Sequence, residues 1–145
     1  MPEVYKPKRL LGFDYGLKQI GVASGQTLTS SATGLTILKA VDGIPNWSQV
    51  EKLLTEWDPD LVVVGLPLNM DDSESELSGR ARKFARRLRG RFAVEVEMVD
   101  ERLTSREAKS MGREQGNQDL TKIDHVAAAL ILQSWLDSPS IGSPP

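Results

Sequence analysis

The sequence predicts an α/β domain built on a mixed five-stranded sheet with helices on both faces. Three observations carry that expectation. Three strand-like segments open the chain in succession, an apolar run LVVVGLP follows a helical segment, and helical and strand-like segments alternate thereafter. Strands paired first as a meander and then interleaved with helices produce a mixed sheet covered on both sides.

The segment RLLGFDYG reads as a buried strand that ends in a turn, and QIGVASGQ follows at once as its hairpin partner. GLTILKA is the third strand. A helix is expected over NWSQVEKLLTEW, where Val50, Leu53, Leu54 and Trp57 fall at i, i+3, i+4 and i+7, and Asp58-Pro59 ends it. LVVVGLP, apolar throughout, suits a central strand buried on both faces. Ser73 with Glu76, Thr104 with Glu107 and Thr121 with Asp124 are capping-box signals for three further helices. The first of these should pack Leu77, Ala81, Phe84, Ala85 and Leu88 inward. VEVEMV alternates apolar and polar residues as a half-exposed strand does. KIDHVAAALILQSWL is apolar nearly all round, so the final helix should be buried. Residues 1–138 form one expected domain, and PSIGSPP over 139–145 an expected disordered tail.

Composition sets outer bounds. The 145 residues suit a single core, with 39% hydrophobic and 26% charged residues. There is no cysteine, so disulfides and thiolate metal sites are excluded. The apolar runs are too short to span a bilayer, and MPEVYKPKRL lacks a signal-peptide core, which implies a cytoplasmic protein without membrane attachment. Net charge is −2, yet Arg80, Arg82, Lys83, Arg86, Arg87, Arg89 and Arg91 crowd into twelve residues without one acid. Long basic side chains can simply solvate an amphipathic helix. In a net acidic chain, seven of them together read as a phosphate-facing stripe for nucleic acid.

The acids are placed to suggest chemistry. Asp14 follows the buried run LLGF, Asp100-Glu101 follows VEVEMV, and Asp124 falls in the first turn of the last helix. Open sheets put their sites at strand ends, so three distant segments could bring carboxylates to one rim. Mg²⁺ and Mn²⁺ prefer such oxygen ligands, and a pair of them can assist phosphodiester hydrolysis. Plainer roles exist for each acid. Asp14 could be a turn residue before Gly16, Asp124 a helix cap, and Asp100 and Glu101 solvated loop acids. His125, the lone histidine, suits packing better than ligation.

Four segments together carry a resemblance. FDYGLKQIGVA, VVGLPLNMDD, DERLTS and KIDHVAAALIL, running from about Leu10 to Leu136, resemble the motifs of the YqgF/RuvX family. That resemblance implies an RNase H-like, RuvC-like fold and a metal-dependent nuclease that processes the 5′ end of precursor 16S ribosomal RNA. Branched DNA is the alternative substrate. By position it implies catalytic roles for Asp14, Glu101 and Asp124, with these and Asp100 as ligands of Mg²⁺ or Mn²⁺. It implies nucleic-acid contacts for Asn69 and Lys122, beside Arg80, Arg82, Lys83, Arg86 and Arg87 of the basic helix. Gly65, Pro67 and Leu68 match the loop bordering the substrate groove; Arg102, Thr104 and Ser105 match positioning or structural residues. The chain departs from the pattern at Asp72, where the family often has glycine, and GREQGNQDLTKID is slightly shorter than in some relatives. The partners implied are structured or precursor ribosomal RNA, branched DNA, and a second copy in a weak homodimer.

Two other function classes compete. Nucleotide-binding proteins of the actin and sugar-kinase type share this core and a glycine turn like Asp14–Gly21, but need two such domains, and no G-x-x-x-x-G-K-[ST] loop is present. A catalytically silent RNA-binding assembly factor would use the basic helix equally well. Metal-dependent cleavage, lost in Asp14→Asn, separates the enzyme from the binding factor.

Overall fold

The computed structural model describes residues 6–102 and 120–145, with residues 120–125 described by their backbone alone. The helix expected after Thr104, with Thr104 and Ser105 themselves, lies outside the described residues. So do the side chains of Lys122, Asp124 and His125.

Strand β1 (Arg9–Asp14) runs antiparallel to β2 (Gln19–Gln26), which pairs antiparallel with β3 (Ser31–Val41). After a two-residue strand β4 (Ile44–Pro45) and helix α1 (Trp47–Trp57), strand β5 (Leu61–Leu66) adds parallel to β1. Helix α2 (Glu76–Phe92) crosses to β6 (Val96–Asp100), parallel to β5, and helix α3 (Leu120–Asp137) closes the fold. Among the described residues the sheet order is β4-β3-β2-β1-β5-β6.

The sheet therefore has six strands where five were expected. The addition is β4, created by the two-residue turn Asp42-Gly43 with both φ angles positive, 51° and 78°. Positive φ at both turn residues is what a hairpin matched to strand twist requires, and Asp-Gly is among its strongest sequence signals.

Strand β5 is buried at every position and splits its side chains between two cores. Val62, Val64 and Leu66 join Leu11, Phe13, Tyr15, Phe84, Ala85 and Leu88 under α1 and α2. Leu61 and Val63 join Leu10, Val99, Ala128, Ile131, Leu132 and Trp135 under α3. Helix α1 begins at Asn46, whose Oδ1 accepts from the Ser48 amide at 2.9 Å, and ends at Asp58, left-handed at φ 44° ahead of Pro59.

Two local expectations are corrected. Helix α2 is capped by Ser75, not Ser73, through a reciprocal box with Ser78. Ser73 is held in a tight turn, its amide donating to Asp71 Oδ1 at 3.0 Å and its carbonyl accepting from the Asn69 amide. The tail is also ordered. Pro139–Ile141 form a 3₁₀ turn, and Ser143 exchanges both backbone hydrogen bonds with Met98. Among the described residues β6 is the edge of the sheet, and the tail takes up the outward backbone groups of Met98 there. No helix among the described residues is long and apolar enough to cross a membrane.

Candidate active site

Strand alternation decides which acids share a face. Leu10 lies in the α3 core, and the hypothetical methyl of Gly12 would meet Leu132 Cβ at 3.1 Å. Asp14, two residues on, belongs to this same α3 face, while Phe13 and Tyr15 enter the opposite core. On β6, Val99 lies in the α3 core and Met98 in the other, so Glu101 extends the α3 face and Asp100 does not. The register sets the ends: Phe13 pairs Val64, Gly65 pairs Val99 two residues before Glu101, and the Glu101 amide donates to the Leu66 carbonyl at 2.9 Å.

Gly65 therefore stands between Asp14 and Glu101 on one face at one end of three adjacent strands. A methyl there would lie 2.6 Å from Ile131 Cδ1 and 3.8 Å from Glu101 Cβ. The middle strand has no side chain where the flanking strands carry carboxylates, and both acids are half-buried.

Helix α3 runs antiparallel to these strands. Ile131 packs at the level of Gly65, whereas Trp135, one turn later, donates to Glu97 Oε1 at 2.9 Å at the level of Val63. Its N-terminal turns thus lie toward the end of the sheet that carries Asp14 and Glu101. Position 124 precedes Ala128 by four residues and Ile131 by seven, the spacing of one helical stripe.

Asp100 is taken up elsewhere. Arg102 grips it on the α2 side of the sheet and also reaches Asp72 Oδ1 at 2.6 Å and the Asn69 carbonyl at 2.8 Å. These hydrogen bonds hold the Asp100 carboxyl below its ordinary range and raise the Arg102 guanidinium above its own. Asp72 adopts φ 70°, so the loop keeps the left-handed bend that favours glycine, with aspartate in its place. Asn69 is committed too, donating from Nδ2 to Ser73 Oγ at 3.0 Å. The buried Ser78 hydroxyl ties α2 to the Pro67 carbonyl of this loop.

The basic helix does not present one stripe. Arg82 and Arg89 flank one side of its buried face, and Arg82 pairs with Glu74 at 2.7 Å and donates to the Pro144 carbonyl. Arg91 lies over the Trp47 ring, 4.5 Å from its centre. Arg80, Lys83 and Arg87 line the other flank, facing Tyr15 and the Asp42–Ile44 turn around a cavity of about 250 Å³. This cavity is absent from a reading of sequence alone, although Asp42-Gly43 is the signal for the turn that forms its wall. Burial pushes the Tyr15 phenol up, with the Arg80 charge opposing.

Residues 8–138 match the RuvX family, described as Holliday junction resolvase. A Pseudomonas putida KT2440 protein named "Putative pre-16S rRNA nuclease" is 57% identical over 133 residues, covering 89% of this chain and 94% of that protein. A protein of the same name from Aeromonas salmonicida is 53% identical over 133 residues, covering 90% and 95%. Among solved structures, Thermus thermophilus RuvC in complex with Holliday junction substrate superposes with a TM-score of 0.59 at 19% identity, covering 94% of this chain and 99% of that one. The likeness to RuvC shows the RNase H-like fold.

Proposed function

The chain belongs to the RuvX family, and from that premise we propose that it is a nuclease hydrolysing phosphodiester bonds in precursor 16S ribosomal RNA. The observation that carries this reading is the row Asp14–Gly65–Glu101, two carboxylates on one face flanking a residue without a side chain. The names of the similar proteins support the substrate. Branched DNA is the second reading, favoured by the description of the family itself.

Asp14, Glu101 and Asp124 are the catalytic set. The described donors are carboxylate oxygens only, which fits hard divalent ions such as Mg²⁺ or Mn²⁺. Bound between these carboxylates, two such ions would supply Lewis-acid charge and an activated water. The chain's own part is to hold the carboxylates fixed. Asp14 and Glu101 are anchored at strand ends, and Gly65, without a side chain, lets Ile131 pack close against the strand between them. We place Asp100 outside this set, because Arg102 already engages its carboxylate. It is a positioning residue that orients Arg102, and through it the Asn69–Asp72 loop. Lys122, the Asn69 loop and the positive charge of α2, from Arg80, Arg82, Lys83, Arg86 and Arg87, are proposed to draw in the nucleic acid.

Cleavage of a 5′-extended 16S precursor fragment, compared with a four-way DNA junction under the same Mg²⁺ or Mn²⁺ conditions, tests the substrate. Faster cleavage of the RNA is expected. Cleavage of the junction alone would establish the second reading, and cleavage of neither would leave an RNA-binding factor.

A further inference from the structure

The cavity on the Tyr15 side of the sheet is the strongest feature that the acidic row does not use. Three elements build it. The residue just past the end of β1 is Tyr15, which follows Asp14 and whose hydroxyl donates to the Gly43 carbonyl at 3.1 Å. The β3–β4 turn supplies Asp42, Gly43 and Ile44, and α2 supplies Arg80, Lys83 and Arg87. Gly43 is required there: a methyl on it would lie 1.9 Å from the Tyr15 hydroxyl oxygen. Tyr15 and the turn therefore form a fixed wall.

The charges are unequal. Three cations face one carboxylate, a formal excess of two. Asp42 pairs with Arg80 at 2.9 Å, and Glu76, at the exposed start of α2, adds a second contact to Arg80 at 3.4 Å. Among the described residues Lys83 and Arg87 have no carboxylate partner, and both are exposed. Arg82 and Arg91, by contrast, are engaged by Glu74 and Trp47. A concave wall that offers the Lys83 ammonium and the Arg87 guanidinium fork beside the ion-paired Arg80 suits a phosphate, whose oxygens accept several charge-assisted bonds at once. Solvation of a helix flank requires no such concavity.

We propose that this cavity is a phosphate site that holds an internal backbone phosphate of the bound strand, at the end of β1 that carries Asp14. The inference rests on the nuclease reading for the identity of the strand. It divides the basic helix: Lys83 and Arg87 bind, Arg80 is held in the cavity wall by Asp42 and Glu76, and Arg82, Arg86 and Arg89 contribute only diffuse charge.

The test compares two charge-matched double variants, Lys83→Ala with Arg87→Ala and Arg86→Ala with Arg89→Ala, both in an Asp14→Asn background that does not consume the probe. All four positions are exposed, so both proteins should fold with unchanged melting temperature. Affinity for a labelled RNA oligonucleotide is measured across salt concentration. Loss of one phosphate contact should lower the slope of log affinity against log salt by about one for the first pair, and by much less for the second. Equal effects from both pairs, or none from either, overturn the site. Oligonucleotides with a 5′-phosphate or a 5′-hydroxyl should bind alike. A preference for the 5′-phosphate that vanishes in the Lys83/Arg87 variant would mean a terminal phosphate occupies the cavity, and would overturn the backbone assignment. Because binding is read without cleavage, inactivity of the wild type would sink the nuclease reading while leaving this result standing.

Discussion

Arg102 grips Asp100 at two points, with Nε 3.1 Å from Oδ1 and Nη2 2.7 Å from Oδ2. The same guanidinium reaches Asp72 and the Asn69 carbonyl, so one side chain fastens the end of β6 to the loop after β5. Planar, two-point recognition is what arginine offers and lysine does not.

That pair should leave a signature in acid. Arg102 holds the Asp100 carboxyl below its ordinary range. The resulting stability is complete above the unfolded-state pKa, about 3.9, and is lost as pH falls through the lower folded value. Asp100→Asn should lower the melting temperature by a few degrees, for a loss of roughly 1 kcal/mol. The gap to wild type should be flat above about pH 5 and close in stronger acid. A gap that widens on acidification would show that the ion pair is not its source.

Gly65 allows space and function to be separated. Gly65→Ala would press a methyl against Ile131 Cδ1, an overpacking cost of about 1–3 kcal/mol. Ile131→Val removes that Cδ1, so the double variant should regain much of the lost stability. It should not regain cleavage, because the methyl still stands between Asp14 and Glu101. Full recovery of activity with stability would reduce Gly65 to a packing residue.

The tail should protect the edge of the sheet. Ending the chain at Gly142 removes the Ser143 carbonyl, which accepts from the Met98 amide at 2.7 Å. Hydrogen exchange at the Met98 amide should accelerate, with a global loss of about 1 kcal/mol or less. Unchanged exchange at Met98 would mean that the tail does not cover β6 in solution.

Much of this was legible in the sequence, and the exceptions have physical causes. Apolar runs and helical spacing located β1, β2, β5, β6, α1 and α3 because burial imposes those patterns. Strand β4 escaped because two residues carry no periodicity; only the Asp42-Gly43 turn announces it. The α2 start was misplaced because serines at 73, 75 and 78 all suit a cap, and only the Asp71 turn decides among them. Asp100 and Glu101 looked interchangeable as ligands, yet neighbours on a strand face opposite ways, and Met98 and Val99 already assign the faces. The Tyr15 cavity joins residues far apart in sequence, so no local pattern reveals it. The tail, polar and rich in proline and serine, gives no sign of pairing because its partner is backbone.

In the proposed reading Asp14 serves as a charged metal ligand and not as a fold-holding turn residue. The measurement that tests it pairs single-turnover cleavage of precursor RNA with metal-free melting of Asp14→Asn. Asparagine keeps the shape and removes the charge, so Mg²⁺- or Mn²⁺-dependent hydrolysis should fall by roughly two orders of magnitude or more. Metal-free stability should be equal or higher, since one of several neighbouring carboxylates has been neutralised. A destabilised variant with normal activity per folded molecule would contradict the metal-ligand role, and with it the main case for an enzyme.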